Sequence, residues 1–205
     1  GFYYEQKLLR WEWQRARIFQ TVEDLYTQSY VLPFLVPMLE NAGAVVMLPR
    51  ERDVQKNEII VDNDQQDSGY FEENGSMTWT NTTTPGFADK KVMYETGENP
   101  FEFGTSRQIE SSKNERFSTV RWAPKFPESG EYAVYVSYLS LPKSTSSAEY
   151  TVYHKGGSTT FKVNQKMGGK TWIYLGTFPF EKGRNSGQYV ILTNKTGKKG
   201  EIITA

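Results

Sequence analysis

The sequence has no cysteine and a single histidine, His154. Without cysteine the chain cannot form a disulfide, a thiolate zinc site or a cysteine nucleophile. A serine triad would have to use His154 as its base, and no Gly-x-Ser-x-Gly elbow accompanies it. We therefore expect no catalytic residues that can be assigned with certainty, and neither a cofactor nor a metal site held by this chain alone.

The chain also lacks long apolar runs and an excess of either charge. No hydrophobic stretch approaches the roughly 20 residues of a membrane-spanning helix. The 24 Lys+Arg balance the 24 Asp+Glu, so the formal net charge is zero. A neutral chain has no broad attraction for nucleic acid or an anionic membrane, and we expect neither as a partner. The chain opens at Gly1 in a polar and aromatic segment, which is typical of a trimmed or processed product.

Aromatic residues are abundant, at 15% of the chain, and they lie in alternating patterns typical of strands. Gly156-Gly157 is expected to supply two positive-φ positions for a hairpin turn, and Gly168-Gly169 a second turn. Strands are predicted at residues 77–80, 118–122, 131–139, 148–154, 159–164, 171–178, 189–193 and 201–204. This spacing predicts an antiparallel β-sandwich of jelly-roll-like type.

The N-terminal part has a different pattern. Residues 5–40 carry an apolar stripe at helical spacing, Pro33 suits the first turn of a further helix, and Gly43 suits a helix C-terminus. Short strands are predicted at 44–48 and 58–62. The predicted fold class is therefore α+β. A helical or α/β segment (1–62) is followed by a linker or loop (63–75) and by the β-sandwich (76–205).

The β-sandwich region resembles the golvesin C-terminal-like domain of secreted bacterial proteins, many of them named xanthan lyases. The motifs that carry the resemblance, which covers about residues 75–205, are Arg121-Trp122-Ala123-Pro124, Gly130-Glu131-Tyr132, Tyr150-Thr151-Val152, Gly156-Gly157, Val163-Asn164-Gln165 and Trp172-Ile173-Tyr174-Leu175-Gly176. The resemblance implies a non-catalytic binding or scaffolding module in a secreted, periplasmic or cell-surface bacterial protein. Polysaccharide or peptidoglycan is the implied partner.

The N-terminal segment is similar to zinc-dependent N-acetylmuramoyl-L-alanine amidases, through Glu23, residues 39–43 and residues 49–53. The resemblance implies a zinc-ligand role for Glu23 and motif roles for Arg50 and Asp53. That family takes two zinc ligands from histidines, and no histidine lies near Glu23 in this sequence. The chain would then be the first amidase segment plus an inserted module, and zinc would bind only if missing segments of the parent protein complete the domain.

Three functions follow as alternatives: a carbohydrate-binding module, a fragment of a lyase or amidase completed outside this chain, and a structural spacer. Trp79 is the candidate ligand-binding residue, because aromatic faces stack on pyranose rings. Trp122 and Trp172 lie within alternating strands and are expected in the core. His154 is expected on the surface beside a hairpin. Because it is the one histidine of the sequence, we predict that this chain alone is inactive.

Overall fold

The computed structural model describes residues 2–7, 10–13, 30–44, 46, 57–65, 69–90, 98–113, 116–196 and 198–205. The chain divides into two compact units. The first contains Gly1–Glu58 and Tyr94–Asn99, and the second, which we call the β-module, contains Ile59–Met93 and Pro100–Ala205. The β-module thus begins before the sequence-predicted boundary at residue 76.

The first unit opens with a hairpin, so the helix predicted from residue 5 is wrong at its start. Strand β1 (Phe2–Glu5) pairs antiparallel with β2 (Arg10–Trp13). Trp11 and Trp13 alternate with charged residues in the sequence, and this period of two competes with the helical spacing. The rest of the predicted apolar stripe, from residue 14 to residue 29, and most of the strand predicted at 44–48 lie outside the described residues.

Among the described residues of the first unit, helical structure forms one continuous stretch. A π-helical segment (Val31–Leu35) leads into an α-helix (Val36–Asn41), and Pro33 lies inside the first of these. Gly43 has a φ of +87°, and its N–H donates to Glu40 while the N–H of Ala44 donates to Leu39. These two bonds form a Schellman motif, so the predicted role of Gly43 at a helix C-terminus is confirmed.

The regular secondary structure of the β-module is almost entirely antiparallel strand. Its described residues form ten strands and one 3-10 turn (Pro100–Glu102). The strands are β3 (Tyr70–Glu73), β4 (Thr80–Asn81), β5 (Arg107–Glu110), β6 (Thr119–Trp122), β7 (Gly130–Val136), β8 (Ala148–His154), β9 (Gly157–Val163), β10 (Ile173–Phe180), β11 (Tyr189–Thr193) and β12 (Ile202–Thr204). They form a five-stranded sheet in the order β3-β6-β11-β8-β9, a three-stranded sheet β12-β5-β4 and a pair β10-β7. All ladder pairs are antiparallel.

The main hydrophobic core is shared between these sheets. It joins buried side chains of the five-stranded sheet, such as Val120, Tyr150 and Leu192, to Ile109 of β5 and Ile203 of β12. Each of these residues alternates with a neighbour on the opposite face of its strand, as a two-sided sheet requires. One face of the five-stranded sheet therefore packs inward, and its other face is outward. The predicted jelly-roll connectivity stays a prediction.

The predicted strands are largely confirmed, with β8 and β11 at the predicted residues. Three differences stand out. Strand β3 lies inside the predicted linker 63–75, β5 was not predicted, and residues 58–62, predicted as a strand, form none. The hairpin between β8 and β9 pairs His154 with Gly157, so Lys155 and Gly156 form its loop and only Gly157, at +129°, has positive φ.

Polar side chains fasten the last strand to the rest of the β-module. The fully buried Gln165 accepts from the N–H of Thr204 at 3.0 Å and donates to the carbonyl of Thr204 at 2.8 Å and to the hydroxyl of Tyr150 at 3.0 Å. The hydroxyl of Thr204 in turn donates to the carbonyl of Leu139 and accepts from its N–H. These bonds join β12 to segments with which it forms no ladder.

Candidate functional site on the outer face of the five-stranded sheet

The amidase-like positions predicted from sequence, Glu23, Arg50 and Asp53, lie outside the described residues, so their roles stay predictions. His154 is described, and its geometry does not fit a metal ligand. Its Nδ1 accepts from the N–H of Gly156, its Nε2 lies 3.3 Å from the hydroxyl of Thr159, and its ring stacks on Phe178. Both ring nitrogens therefore have partners, and the side chain stabilises its own hairpin.

Trp79, the predicted sugar-stacking residue, lies in the core at 2% exposure. Its indole N–H finds no acceptor among the described residues. Because the ring is almost completely buried, neither of its faces is open to a sugar, and this burial argues against the predicted stacking role. Trp122 packs against the same core as predicted. Trp172 does not, because 42% of it is exposed.

A β-bulge explains why Tyr174 faces outward, whereas Trp172 lies just before the strand. The sequence pattern places Trp172, Tyr174, Phe178 and Phe180 on one face of a regular strand. In the structure the pairing of β10 with β7 shifts between Tyr174 and Gly176. A single extra residue reverses the facing of everything on one side of it. Phe178 and Phe180 therefore join the core, while Tyr174 is exposed.

The outer face of the five-stranded sheet carries a second set of aromatic residues, beginning at its edge strand. In β3, Tyr70 and Glu72 turn toward the core side, while Phe71 and Glu73 turn outward. Phe71 is directly opposite Arg121 of β6, which is opposite Ile191 of β11. Tyr189, two residues before Ile191 and on the same face of β11, is opposite Tyr153 of β8.

These side chains form a continuous strip that we call the Phe71–Tyr153 strip. The guanidinium of Arg121 lies over the ring of Phe71 at 4.9 Å and over that of Tyr189 at 5.3 Å. Tyr189 stacks on Tyr153, with ring centroids 4.6 Å apart. A cation held between two rings is fixed in position, and each such contact contributes about 0.5–1 kcal/mol at an exposed site.

Two cavities open on this outer face. One, of about 240 Å³, is lined by the strip residues Phe71, Arg121 and Tyr189 together with Glu73, Thr119 and Ile191. The other, of about 290 Å³, is lined by Ser147, Glu149, Lys162, Lys195 and Thr196. Glu73, Thr119, Thr193, Glu149 and Lys162 follow one another across the five strands. The two cavities therefore lie on the same face, and polar side chains connect them.

A half-buried polar network lies on the other side of β3. Arg107 of β5 donates to both carboxylate oxygens of Glu72, at 2.5 and 2.8 Å, and the hydroxyl of Tyr70 donates to the same carboxylate at 2.7 Å. Arg107 also donates to Asn81 and to the carbonyl of Trp79. The network joins three strands of two sheets.

Its protonation pattern indicates a structural role. Burial, and then the hydrogen bond to Glu72 and the charge of that carboxylate, raise the pKa of Tyr70 well above its usual value. Burial alone would raise the pKa of Glu72 too, but hydrogen bonds from Arg107 and Tyr70 outweigh it and the pKa is lowered. Tyr70 therefore keeps its proton and Glu72 stays ionised, so neither suits the proton transfer that a general base or acid performs.

Among the described residues, no three carboxylate or imidazole side chains come together in a way that could hold a metal ion. None of the helices in the described ranges has the length and apolarity that a membrane span requires. The sequence analysis missed the Phe71–Tyr153 strip. Part of the signal is present, because Arg121, Tyr189 and Tyr153 alternate with apolar residues of β6, β11 and β8. Phe71 lacks this signal, because it lies in the segment that the sequence predicts as a linker and its inward neighbour Glu72 is charged.

The β-module is similar to known proteins. A family model for the Golvesin C-terminal domain matches residues 59–205. Xanthan lyase of Bacillus sp. (strain GL1) is 27% identical over 103 residues, which cover 50% of this chain and 11% of that protein. The solved structure of Paenibacillus xanthan lyase matches with a TM-score of 0.50 at 23% identity, over 69% of this chain and 12% of that chain.

The chain therefore spans a small part of the length of these relatives, and at this identity the solved structure shows likeness of fold alone. The family match begins at residue 59, where the β-module also begins, rather than near residue 75 as the sequence motifs indicate. Since the match extends over well more than half of the sequence, this chain belongs to the Golvesin C-terminal domain family.

Proposed function

We propose that this chain is a non-catalytic carbohydrate-binding module of a larger bacterial polysaccharide-acting protein, and that the outer face of its β-sandwich is the binding surface. The arrangement of Arg121 between Phe71 and Tyr189, beside a cavity of about 240 Å³, carries the proposal. The rings offer apolar faces to the C–H groups of a pyranose. The guanidinium offers fixed donors to hydroxyl or carboxylate oxygens of the sugar.

The rigidity of the strip supports binding in particular. Phe71, Arg121, Tyr189 and Tyr153 come from four adjacent strands and contact one another in sequence. Their rotamers are restricted before any ligand arrives, so little side-chain entropy remains to be lost on binding. The second cavity, with Lys162 and Lys195, extends the polar surface across the sheet and suits a polymer longer than one sugar.

The similarity to xanthan lyases suggests xanthan as one ligand class, and the amidase-like motif suggests peptidoglycan as another. We propose xanthan or a related polysaccharide as the first ligand to test and peptidoglycan fragments as the second. Secretion follows as a proposal from the same relatives. Any lyase or amidase activity, and any zinc, is proposed to belong to segments of the parent protein outside this chain, where Glu23, Arg50 and Asp53 would contribute.

Isothermal titration calorimetry of the full chain with xanthan and with soluble muropeptides tests the proposal. We expect saturable binding of one of them, weakened about tenfold or more by Phe71→Ala and by Arg121→Gln, since central aromatic and arginine residues dominate binding surfaces. Met167→Ala, which removes a 67% exposed side chain elsewhere, is the matched control and should bind as the unaltered chain does. No binding at millimolar ligand, or equal affinities in all variants, would refute the proposal.

A further inference from the structure

A second aromatic surface lies outside the five-stranded sheet of the β-module, in the segments before β10 and around the 3-10 turn. Trp172, immediately before β10, is 42% exposed, although it is one of the largest side chains of the chain. Phe87 contacts its ring at a centroid distance of 4.9 Å and Phe101 at 5.9 Å, with the ring planes inclined at 65° and 63° in edge contacts. Phe87 and Phe101 also contact each other at 5.3 Å. The indole is therefore held in one orientation while much of its surface stays in water.

An ion pair joins the same two segments of chain. Lys170, two residues before Trp172, lies 3.0 Å from the carboxylate of Glu102, the residue that follows Phe101. Both side chains are only about a quarter exposed, at 23% and 28%. Fixed donor and acceptor groups therefore lie beside the aromatic ring. Lys170 and Glu102 together carry no net charge, whereas the outer face has the positive charge of Arg121.

The backbone of Lys170 adds an independent sign. Its φ is +57°, and it is the one residue other than glycine with positive φ in the described part of the chain. The left-handed conformation costs a residue with a Cβ about 1–2 kcal/mol relative to glycine. Backbone strain of this kind occurs mainly at functional sites. Since glycines precede it at 168 and 169, a third glycine would fit the backbone better, but it would remove the ammonium group.

We infer that Trp172 with the Lys170–Glu102 pair forms a second sugar-binding site, which takes a neutral hexopyranose unit. The apolar C–H face of such a ring fits the exposed indole. Its hydroxyls can accept from the ammonium of Lys170 and donate to the carboxylate of Glu102. A balanced pair adds no net charge, so the site suits a neutral sugar. It lies outside the five-stranded sheet, so it binds independently of the Phe71–Tyr153 strip.

The test uses the full chain and a neutral cello-oligosaccharide as the probe, with binding followed by calorimetry. Trp172→Ala is expected to weaken binding about tenfold or more. Tyr174→Ala, which removes a 54% exposed ring two residues away, should have little effect. Failure of xanthan to bind, with retention of this response, would then remove the outer-face proposal and leave this one standing.

Lys170→Gly separates a binding role from a structural one. Glycine relieves the strained φ, so thermal stability should be equal or higher, whereas cello-oligosaccharide affinity should fall severalfold. Loss of affinity in proportion to loss of stability would overturn the inference. Affinity of Trp172→Ala equal to that of the unaltered chain would overturn it as well, and so would equal losses in Trp172→Ala and Tyr174→Ala. If Trp172→Ala does not fold, the Lys170→Gly result decides.

Discussion

Replacement of Gln165 by leucine should test how the last strand is held. Leucine has a similar volume and no polar atoms, so the change removes three hydrogen bonds and creates little cavity. The groups left behind are the N–H and carbonyl of Thr204 and the hydroxyl of Tyr150, and both residues are fully buried. The Gln165 side-chain amide bonds both the N–H and the carbonyl of Thr204, as the backbone of a paired strand would.

The size of the effect follows from these three bonds. A buried polar group left without a partner costs about 1–3 kcal/mol. Some relaxation will satisfy part of this set, so we expect Gln165→Leu to lower the free energy of unfolding by about 3–6 kcal/mol. That is a large fraction of the roughly 5–15 kcal/mol of a typical domain. Tyr150→Phe in the same chain should recover part of the loss, because it removes one of the orphaned groups.

Urea unfolding followed by tryptophan fluorescence measures the loss, since the core tryptophans report on the β-module. Lys166→Leu is the matched control, because it makes the same product residue at the adjacent exposed position and should change stability by no more than about 0.5 kcal/mol. A loss below about 1 kcal/mol in Gln165→Leu would show that water or other groups replace the amide, and would refute this account of β12.

Three further predictions concern charge and close packing. Glu72→Gln should destabilise the fold by about 1.5–3 kcal/mol at neutral pH, because the bonds from Arg107 are charge-assisted. The folded pKa of Glu72 is lowered, so the advantage of the unaltered chain over this variant should persist above the unfolded pKa near 4 and disappear as pH falls through the folded pKa. Burial, opposed by a hydrogen bond from the Asp64 backbone and reinforced by nearby carboxylates, raises the pKa of Asp62 to about 6. Here the sign is opposite: the ionised form destabilises the fold, so Asp62→Asn should be more stable than the unaltered chain by about 1–3 kcal/mol above pH 7 and equal to it near pH 4, and thermal melts across pH would contradict this if the difference stayed constant. Gly104→Ala should melt far below the unaltered chain, because a Cβ there would meet the carbonyl oxygen of Phe87 at 2.0 Å, and an unchanged melting temperature would exclude the observed close approach.

Alternation in the sequence predicts the central strands and fails where polar residues turn inward. Strands β8 and β11 have apolar residues at every second position, so their limits were predictable. Strand β3 reads Tyr-Phe-Glu-Glu, a polar sequence that predicts a linker. Its inward Glu72 is tolerated only because Arg107, 35 residues away, neutralises it. A pairing over that separation has no local signature, and β5, which supplies the arginine, was missed for the same reason.

The candidate sites show the same limit. Aromatic content led to the expectation of sugar stacking, but the residue chosen, Trp79, lies in the core. A single bulge near Leu175 decides that Tyr174 faces outward while Phe178 packs inward. Gly176 is a local sign of a bulge, but it does not determine where the register shifts. Which aromatic side chains remain exposed therefore depends on strand register, and register is fixed by the whole sheet.

An NMR titration of the full chain with xanthan oligosaccharides tests the central claim most directly, because each backbone amide reports its own position. We expect saturable shifts at Phe71, Arg121 and Tyr189, spreading toward Lys162 with longer oligosaccharides, while amides in the core stay unchanged. Saturable shifts confined to positions off the outer face of the five-stranded sheet, or no shifts at millimolar ligand, would contradict it.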